Sequence, residues 1–363
     1  TGFQCSSTEL TSAKLYIQQK NYDKALEALN NEVSKNPQSD EGFYLLGVVY
    51  GEQEKFSEMV DVFNKSLAVS NKFEKDINDT KRYYWANLFN KGVTLYQRAT
   101  SSQNPDSSKV NYDLSITAFD HAIAIEPDSA DAYRNLAFVQ ISRGEYDKAI
   151  APLEKLITLN TEPEGYRFLG EILYNKGIEA KAQDSVKAQE YFNKAITVLE
   201  QGRKDNPTDS DILLLLSNAY IGANKLDVAI DAFKAGVATE PENQYYRYNY
   251  GVVLLGSGNF TEAEEQFKKA VEIDPNYDKA IYNLAVTYVR WGTALSLEAE
   301  EKGIQSTEHK AKYELALPHL EKMTQLKPDD AQAWELLGRV YTVLGMADKA
   351  TNAFAKADEL RGK

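Results

Sequence analysis

Apolar residues recur along the chain with the period of a helix, and the pattern itself then recurs. From Asp209 to Pro241, Leu213, Leu216, Ser217 and Tyr220 share one helical face, Ala229, Phe233 and Gly236 share a second, and Pro241 closes the stretch. The next stretch places Gly251, Leu254, Ala263, Phe267, Ala270 and Pro275 at a constant shift of 34 residues. The spacing Ala-x3-Phe-x2-Ala keeps its members on one side of a helix. The small residue on the first helix and the alanines on the second stand where two helices approach closely, and a larger side chain there forces them apart. The closing proline lacks the N–H that another helical turn needs. Each unit is therefore a pair of helices, A and B.

Nine units fit this pattern. Their small helix-A residues are Ala13, Gly47, Gly92, Ala137, Gly170, Ser217, Gly251, Ala285 and Gly338. The first helix-B positions are Ala25, Met59, Ser115, Ala149, Ala195, Ala229, Ala263, Ala316 and Ala350. Pro37, Pro127, Pro207, Pro241, Pro275 and Pro328 close units, and the second unit, with Met59 and no closing proline, is the loosest. The last unit carries Trp334, Leu337, Gly338, Tyr341, Ala350, Phe354 and Ala357. Together these residues resemble the tetratricopeptide repeat (TPR) family, whose motif sets a large residue, Leu-Gly and Tyr on helix A, and Ala, an aromatic and Ala on helix B. The resemblance runs over residues 9–361, behind an N-terminal tail of residues 1–8. It implies an all-α fold, a right-handed superhelical solenoid of antiparallel helix pairs, and work in protein–protein binding. A solenoid lets a chain of 363 residues fold without one large core.

Successive small residues are separated by 34, 45, 45, 33, 47, 34, 34 and 53 residues. The step from the small residue to the first helix-B position is 12 in a standard unit, but 23 in repeat 3, 25 in repeat 5 and 31 in repeat 8. Insertions near 100–111, 174–189 and 290–312 therefore fall at the turn between A and B, on one edge. The first, Ser-Ser-Gln-Asn-Pro-Asp-Ser-Ser, predicts a loop. The other two are rich in helix formers and predict lengthened helices. A fourth excess near 71–82 is charged and predicts another loop. Drift at tolerated turns and a lateral contact surface are the two readings of these insertions.

The charge balance is acidic, with 41 Lys+Arg against 54 Asp+Glu. Nothing resembles the basic stripe of a nucleic-acid binder, so DNA, RNA and anionic membrane surfaces are not expected partners. No run of apolar residues is long enough to span a membrane. The histidines, His121, His309 and His319, form no pair with metal-ligand spacing, and neither a phosphate loop nor a nucleophile elbow occurs. Cys5 is the single cysteine, so no internal disulfide is available. Carboxylates such as Asp40, Glu41 and Asp128 stand at helix starts, where they cap or favour the helix dipole. The expectation is a non-enzymatic chain with no cofactor and no metal, whose partners are proteins.

The 23 tyrosines exceed what the repeat core asks for. Tyr245, Tyr246, Tyr248 and Tyr250 crowd one helix A, and only Tyr250 is a core position of the motif. Tyr245, Tyr246 and Tyr248, with Tyr83, Tyr84 and Trp85 at the entry to repeat 3, are candidate partner-binding residues. The resemblance also implies a groove lined by A helices, but the Lys/Arg/Asn clamp of one TPR subset is not completed after Arg134-Asn135. Asn90, Asn249 and Asn283 recur at one helix-A position where asparagine is common in the family. In the last helix B, Ala350, Phe354 and Ala357 read as an uncovered seam. With Phe3 and Cys5 of the tail they are a candidate end-to-end interface, and such a heterologous contact builds rings or filaments.

Cys5-Ser6-Ser7 resembles a bacterial lipoprotein start and makes Cys5 a candidate lipidation site, although Gly2-Phe3-Gln4 departs from the usual lipobox. Asn64, Asn78 and Asn259 open N-x-S/T sequons, and Ser129 and Ser185 sit in Asp-Ser-small triplets, so all five are candidate glycosylation sites. These features suggest an exported chain, extracellular or in the cell envelope, with the cytoplasm as the alternative. Two readings of function follow: a scaffold that self-assembles end to end into a filament or other homopolymer, and a monomeric exported or lipid-anchored adaptor that holds a peptide or protein in its groove.

Overall fold

The computed structural model describes residues 7–362. The described residues form eighteen α-helices and one 3-10 turn, and successive helices pack as antiparallel pairs. The chain divides into two compact units that meet in sequence at Thr161 and Glu162. The first holds α1 (Thr8–Gln18), α2 (Tyr22–Lys35), α3 (Asp40–Glu52), α4 (Phe56–Val69), α5 (Glu74–Ser101), α6 (Pro105–Ile125), α7 (Ala130–Ser142) and α8 (Tyr146–Leu159). The second holds α9 (Pro163–Ala180), α10 (Ser185–Asp205), α11 (Ser210–Gly222), α12 (Leu226–Thr239), α13 (Gln244–Gly256), α14 (Phe260–Ile273), α15 (Asp278–Glu301), α16 (Glu308–Leu326), α17 (Ala331–Val343) and α18 (Ala347–Arg361). Odd-numbered helices are A and even-numbered helices are B.

The helix starts follow from local chemistry. Asp209 accepts from the amides of Asp211 and Ile212 at 3.1 and 2.9 Å, and Asp330 does the same for Gln332 and Ala333 at 2.9 and 3.1 Å. Each such cap satisfies amides that lack an intrahelical partner and stabilises by about 1 kcal/mol.

Pairing rests on one recurrent contact. A Cβ added to Gly47 would come within 2.2 Å of the Phe63 ring, and one added to Gly92, Gly251 or Gly338 would come within 2.8, 2.7 or 2.8 Å of Phe119, Phe267 or Phe354. In repeat 5 Leu199 takes the place of the ring, 2.4 Å from a Cβ on Gly170. Ala25, Met59, Ser115, Ala149, Ala195, Ala229, Ala263 and Ala316 are all fully buried beside these contacts. Ser115 is tolerated there because its hydroxyl donates to the Gly92 carbonyl at 2.8 Å.

Two expectations are corrected. Residues 71–82 are not a loop: a 3-10 turn at Asn71–Phe73 leads into α5 at Glu74, and Ile77 is fully buried. Phe73 stacks on Tyr44 at 4.6 Å and 5°, which anchors this turn. Residues 100–111 are not a loop either, since only 102–104 leave the helices. Asn104 caps α6 by accepting from the Ser107 amide at 3.0 Å, and Pro105 takes the first helical turn. Polar and proline residues that read as a break are here a helix start.

The long hairpins repeat the small-against-large contact farther out. Gly177 lies seven residues beyond Gly170, and its Cβ would meet Phe192, seven residues before Leu199, at 2.6 Å. Gly292 lies seven beyond Ala285, and its Cβ would meet Tyr313, seven before Leu320, at 2.8 Å. Ala99, which is buried, and Tyr112 stand in the same relation to Gly92 and Phe119.

Replacing Gly251 by valine is expected to cost about 3 kcal/mol by overpacking Phe267. Gly256→Ala is the matched control. Its Cβ would meet only ordinary contacts, the nearest at 3.6 Å, so the exchange is expected to be neutral or to stabilise by about 0.5 kcal/mol. Urea unfolding followed by circular dichroism checks both.

Candidate partner-binding cleft

In the second unit, α9 and α11 are neighbouring A helices, and both are held by the B helix between them. Tyr166 of α9 donates to Asp205 of α10 at 2.6 Å, and Tyr220 of α11 donates to Glu200 of α10 at 2.9 Å. Arg203 completes the second contact, with its Nε donating to Glu200 at 3.0 Å. Gly202 of α10 lies against Tyr166 on one side and Ile212 on the other, with a Cβ there 2.8 and 3.2 Å from them. The two walls are thus fixed by carboxylates one and a half turns apart on a single helix.

Between these walls is a cleft of about 400 Å³. Phe168, Leu214 and Leu215 give it an apolar surface, and Glu164, Arg167, Glu171 and Asp211 complete the lining. The three apolar residues are half-buried. Arg167 spans the mouth: its Nη1 donates to Asp211 at 3.0 Å, and its Nε lies 3.8 Å from Asp209. Counted from the small residue of each A helix, the lining stands at offsets −6, −3, −2 and +1 on α9 and −6, −3 and −2 on α11.

At the same offsets on the next A helices side-chain hydrogen bonds cross the seams, and Tyr245 lines a separate cleft of about 460 Å³ with Thr208, Glu240, Pro241, Glu242, Asn243 and Gln244. On α13 these offsets hold Tyr245, Tyr248, Asn249 and Val252, and on α15 Lys279, Tyr282, Asn283 and Val286. Ser217 of α11 donates to Asn249 Oδ1 at 3.1 Å, and Asn249 Nδ2 donates to the Tyr245 carbonyl at 2.8 Å. Asn283 Nδ2 donates to the Tyr248 hydroxyl at 2.9 Å, and Tyr277 packs its ring 5.2 Å from that of Tyr248. Asn249 and Asn283 are therefore spacers between helices.

Three matches to the tetratricopeptide repeat description fall at residues 118–151, 214–278 and 331–363. The chain is a tetratricopeptide repeat protein. Among similar proteins, the BBSome complex member BBS4 homolog of Drosophila melanogaster is 23% identical over 340 residues, which cover 94% of this chain and 62% of that protein. The peroxisomal targeting signal receptor of Candida albicans is 25% identical over 186 residues, 49% of this chain and 29% of that protein. The chain thus spans less than two thirds of the length of each of these relatives. A solved tetratricopeptide repeat protein from Parabacteroides merdae is 15% identical, with 75% of this chain and 93% of that one covered at a TM-score of 0.46.

The aromatic candidates fare unevenly in the TPR frame. Tyr246 and Tyr248 are buried and offer no contact surface, with 3% and 6% of their surface exposed. The tyrosines of α13 sink because an inner TPR helix is covered on several sides. The Tyr246 ring fills the space over Gly236, and Tyr248 packs on Phe267 and Tyr277. Tyr245 is half-buried against Tyr277. In the first unit Tyr84 donates to Glu52 at 2.9 Å and packs on Phe56, and Trp85 stacks on Phe89 at 5.1 Å. Tyr83 alone of that group stays largely exposed, at 65%.

The proposed end-to-end residues are also corrected. Ala350 and Ala357 are buried, and Phe354 rests on Gly338, so all three belong to the core of their own repeat. The face that carries Ala-x3-Phe-x2-Ala packs on the partner helix A, while Trp334, Tyr341, Ala353 and Lys356 of the same repeat line a separate open cleft of about 400 Å³. Phe3 and Cys5, with the lipidation reading of Cys5, lie outside the described residues. Of the glycosylation candidates, Asn64 and Asn78 lie inside α4 and α5, Asn259 and Ser129 cap α14 and α7, and Ser185 opens α10. The hydroxyl of Ser66, which completes the Asn64 sequon, is buried and donates to the Asp40 carbonyl at 2.8 Å.

Arg167, Phe168, Glu171, Asp211, Leu214 and Leu215 were not singled out from sequence. Their signal is positional: the same offsets read across successive A helices, where aromatic counting looks only along one.

Burial, reinforced by carboxylate partners at Tyr166, Tyr288 and Tyr341, pushes these hydroxyls and that of Tyr248 up to about 12. An unfolded tyrosine ionises near 10. The folded state then binds more protons than the unfolded state between these values, so stability is full below pH 10 and falls as pH rises towards 12. Melting temperatures at pH 9 and pH 11 are expected to show a clear drop at the higher value. Glu200→Ala, which removes the acceptor of Tyr220 and one of the partners of Arg203, is expected to cost about 2 kcal/mol in urea unfolding at pH 7.

Proposed function

We propose that the protein is a non-enzymatic TPR scaffold that holds a protein partner in the cleft between α9 and α11. One observation carries this reading: that seam is open over an apolar floor of Phe168, Leu214 and Leu215, whereas side-chain hydrogen bonds cross the next two A-helix seams. A volume of about 400 Å³ is in the range of ligand-sized sites. Its walls are pre-set by the Tyr166 and Tyr220 bonds to α10, so little order has to be acquired on binding. The two similar relatives are a complex member and a targeting signal receptor by name, and a recognition role here agrees with both.

Leu214→Asp places a charge on the cleft floor, and Val228→Asp places one on an exposed site of α12. In affinity capture from the source cells, a partner held in the cleft is expected to be lost with Leu214→Asp and kept with Val228→Asp, while circular dichroism stays unchanged in both. Loss in both variants, or in neither, rejects the cleft.

Self-assembly is the alternative to a separate partner. With Ala350, Phe354 and Ala357 consumed in their own repeat, the reading favours a monomer. Light scattering is expected to return a mass near 40.8 kDa at all concentrations; mass that climbs with concentration would restore the homopolymer.

A further inference from the structure

We infer that the cleft selects a basic segment, an apolar stretch carrying a lysine or arginine. The inference rests on the cleft reading and adds the chemistry of the occupant. The lining sets the carboxylates Glu164, Glu171 and Asp211 against a single cation, Arg167. That cation is already engaged by Asp211 at 3.0 Å, with Asp209 3.8 Å away. An incoming carboxylate therefore enters a site of like charge, and an incoming ammonium or guanidinium enters one of opposite charge. Leu214 and Leu215 provide a surface for the aliphatic stem of such a side chain, whose charged head then stays at the wet rim beside Glu171.

The acidity of this seam is not shared by the next two A helices. At the equivalent offsets, α13 carries no charge and α15 carries only Lys279. At these offsets on α9, α11, α13 and α15, an apolar floor and a carboxylate rim coincide at the α9/α11 seam. Like-charge contact also discriminates against acidic segments, which is how a rim charge contributes specificity more than affinity.

The test uses the full chain and three dye-labelled peptides of equal length, in which leucine alternates with arginine, glutamine or glutamate. Fluorescence anisotropy is expected to give tightest binding for the arginine peptide, about tenfold over the glutamine peptide, and none for the glutamate peptide. The arginine preference is expected to shrink as salt rises from about 50 to about 500 mM. Glu171→Lys, an exposed change, is expected to erase the preference. Glu301→Lys, the same charge change on the α15/α16 hairpin, is expected to leave it intact. Equal binding of the arginine and glutamine peptides, or an equal loss in both variants, overturns the inference while the cleft stands. If no peptide binds, or if all three bind and Leu214→Asp changes none of them, the cleft reading itself fails.

Discussion

The structure depends on a space too small for a methyl group. At the small position of helix A, five of the nine repeats hold a glycine, and the backbone there lies directly under a large side chain of helix B. Close-packed interiors transmit such a constraint over a whole element, because neither helix can shift without opening a void or a clash. Everything else is arranged around that contact. Buried alanines flank it, the capping residues set where each helix starts, and tyrosine–carboxylate bonds tie one pair to the next. The bonds from Tyr220 to Glu200, from Tyr288 to Glu264 and from Tyr341 to Glu321 each join a helix A to the preceding helix B.

The helix pairs were legible because that contact leaves a strict trace. A small residue on A and an Ala-x3-Phe-x2-Ala face on B cannot drift without cost, so the 34-residue period survives in the letters. The insertions were harder to read. Residues 71–82 and 100–111 were expected to be loops, because charge and a proline were taken as breaks, whereas Asn104 and Pro105 begin a helix and Ile77 anchors another. The anchoring pair of each long hairpin was present in the sequence, as Gly177 with Phe192 and Gly292 with Tyr313, but a frame tuned to the standard unit passes over it.

The cleft was not legible for a different reason. Tyrosine abundance drew attention to α13, yet Tyr246 and Tyr248 were needed to fill seams between helices. Burial of an aromatic is decided by how many neighbours its helix has, and a single-helix pattern does not contain that number. The open seam is marked by what is missing: at the offsets where α13 and α15 place tyrosine and asparagine, α11 places Leu214 and Leu215 and α9 places Arg167 and Phe168. Aliphatic groups make no directional bond across the gap, so the gap remains.

The outer contacts of the long hairpins have a consequence for how such a chain can change length. A helix returns to nearly the same face after seven residues, so an added small-against-large pair aligns only if both strands of the hairpin grow by about two turns. Two turns raise a helix by roughly 10 Å. Hairpin height is therefore stepped, and intermediate heights lack a locking pair. The second unit has two such posts, α9/α10 and α15/α16, with two repeats of standard height between them in sequence. Its edge is notched at a pitch set by the helix itself, and a body resting there is measured against the width of two repeats.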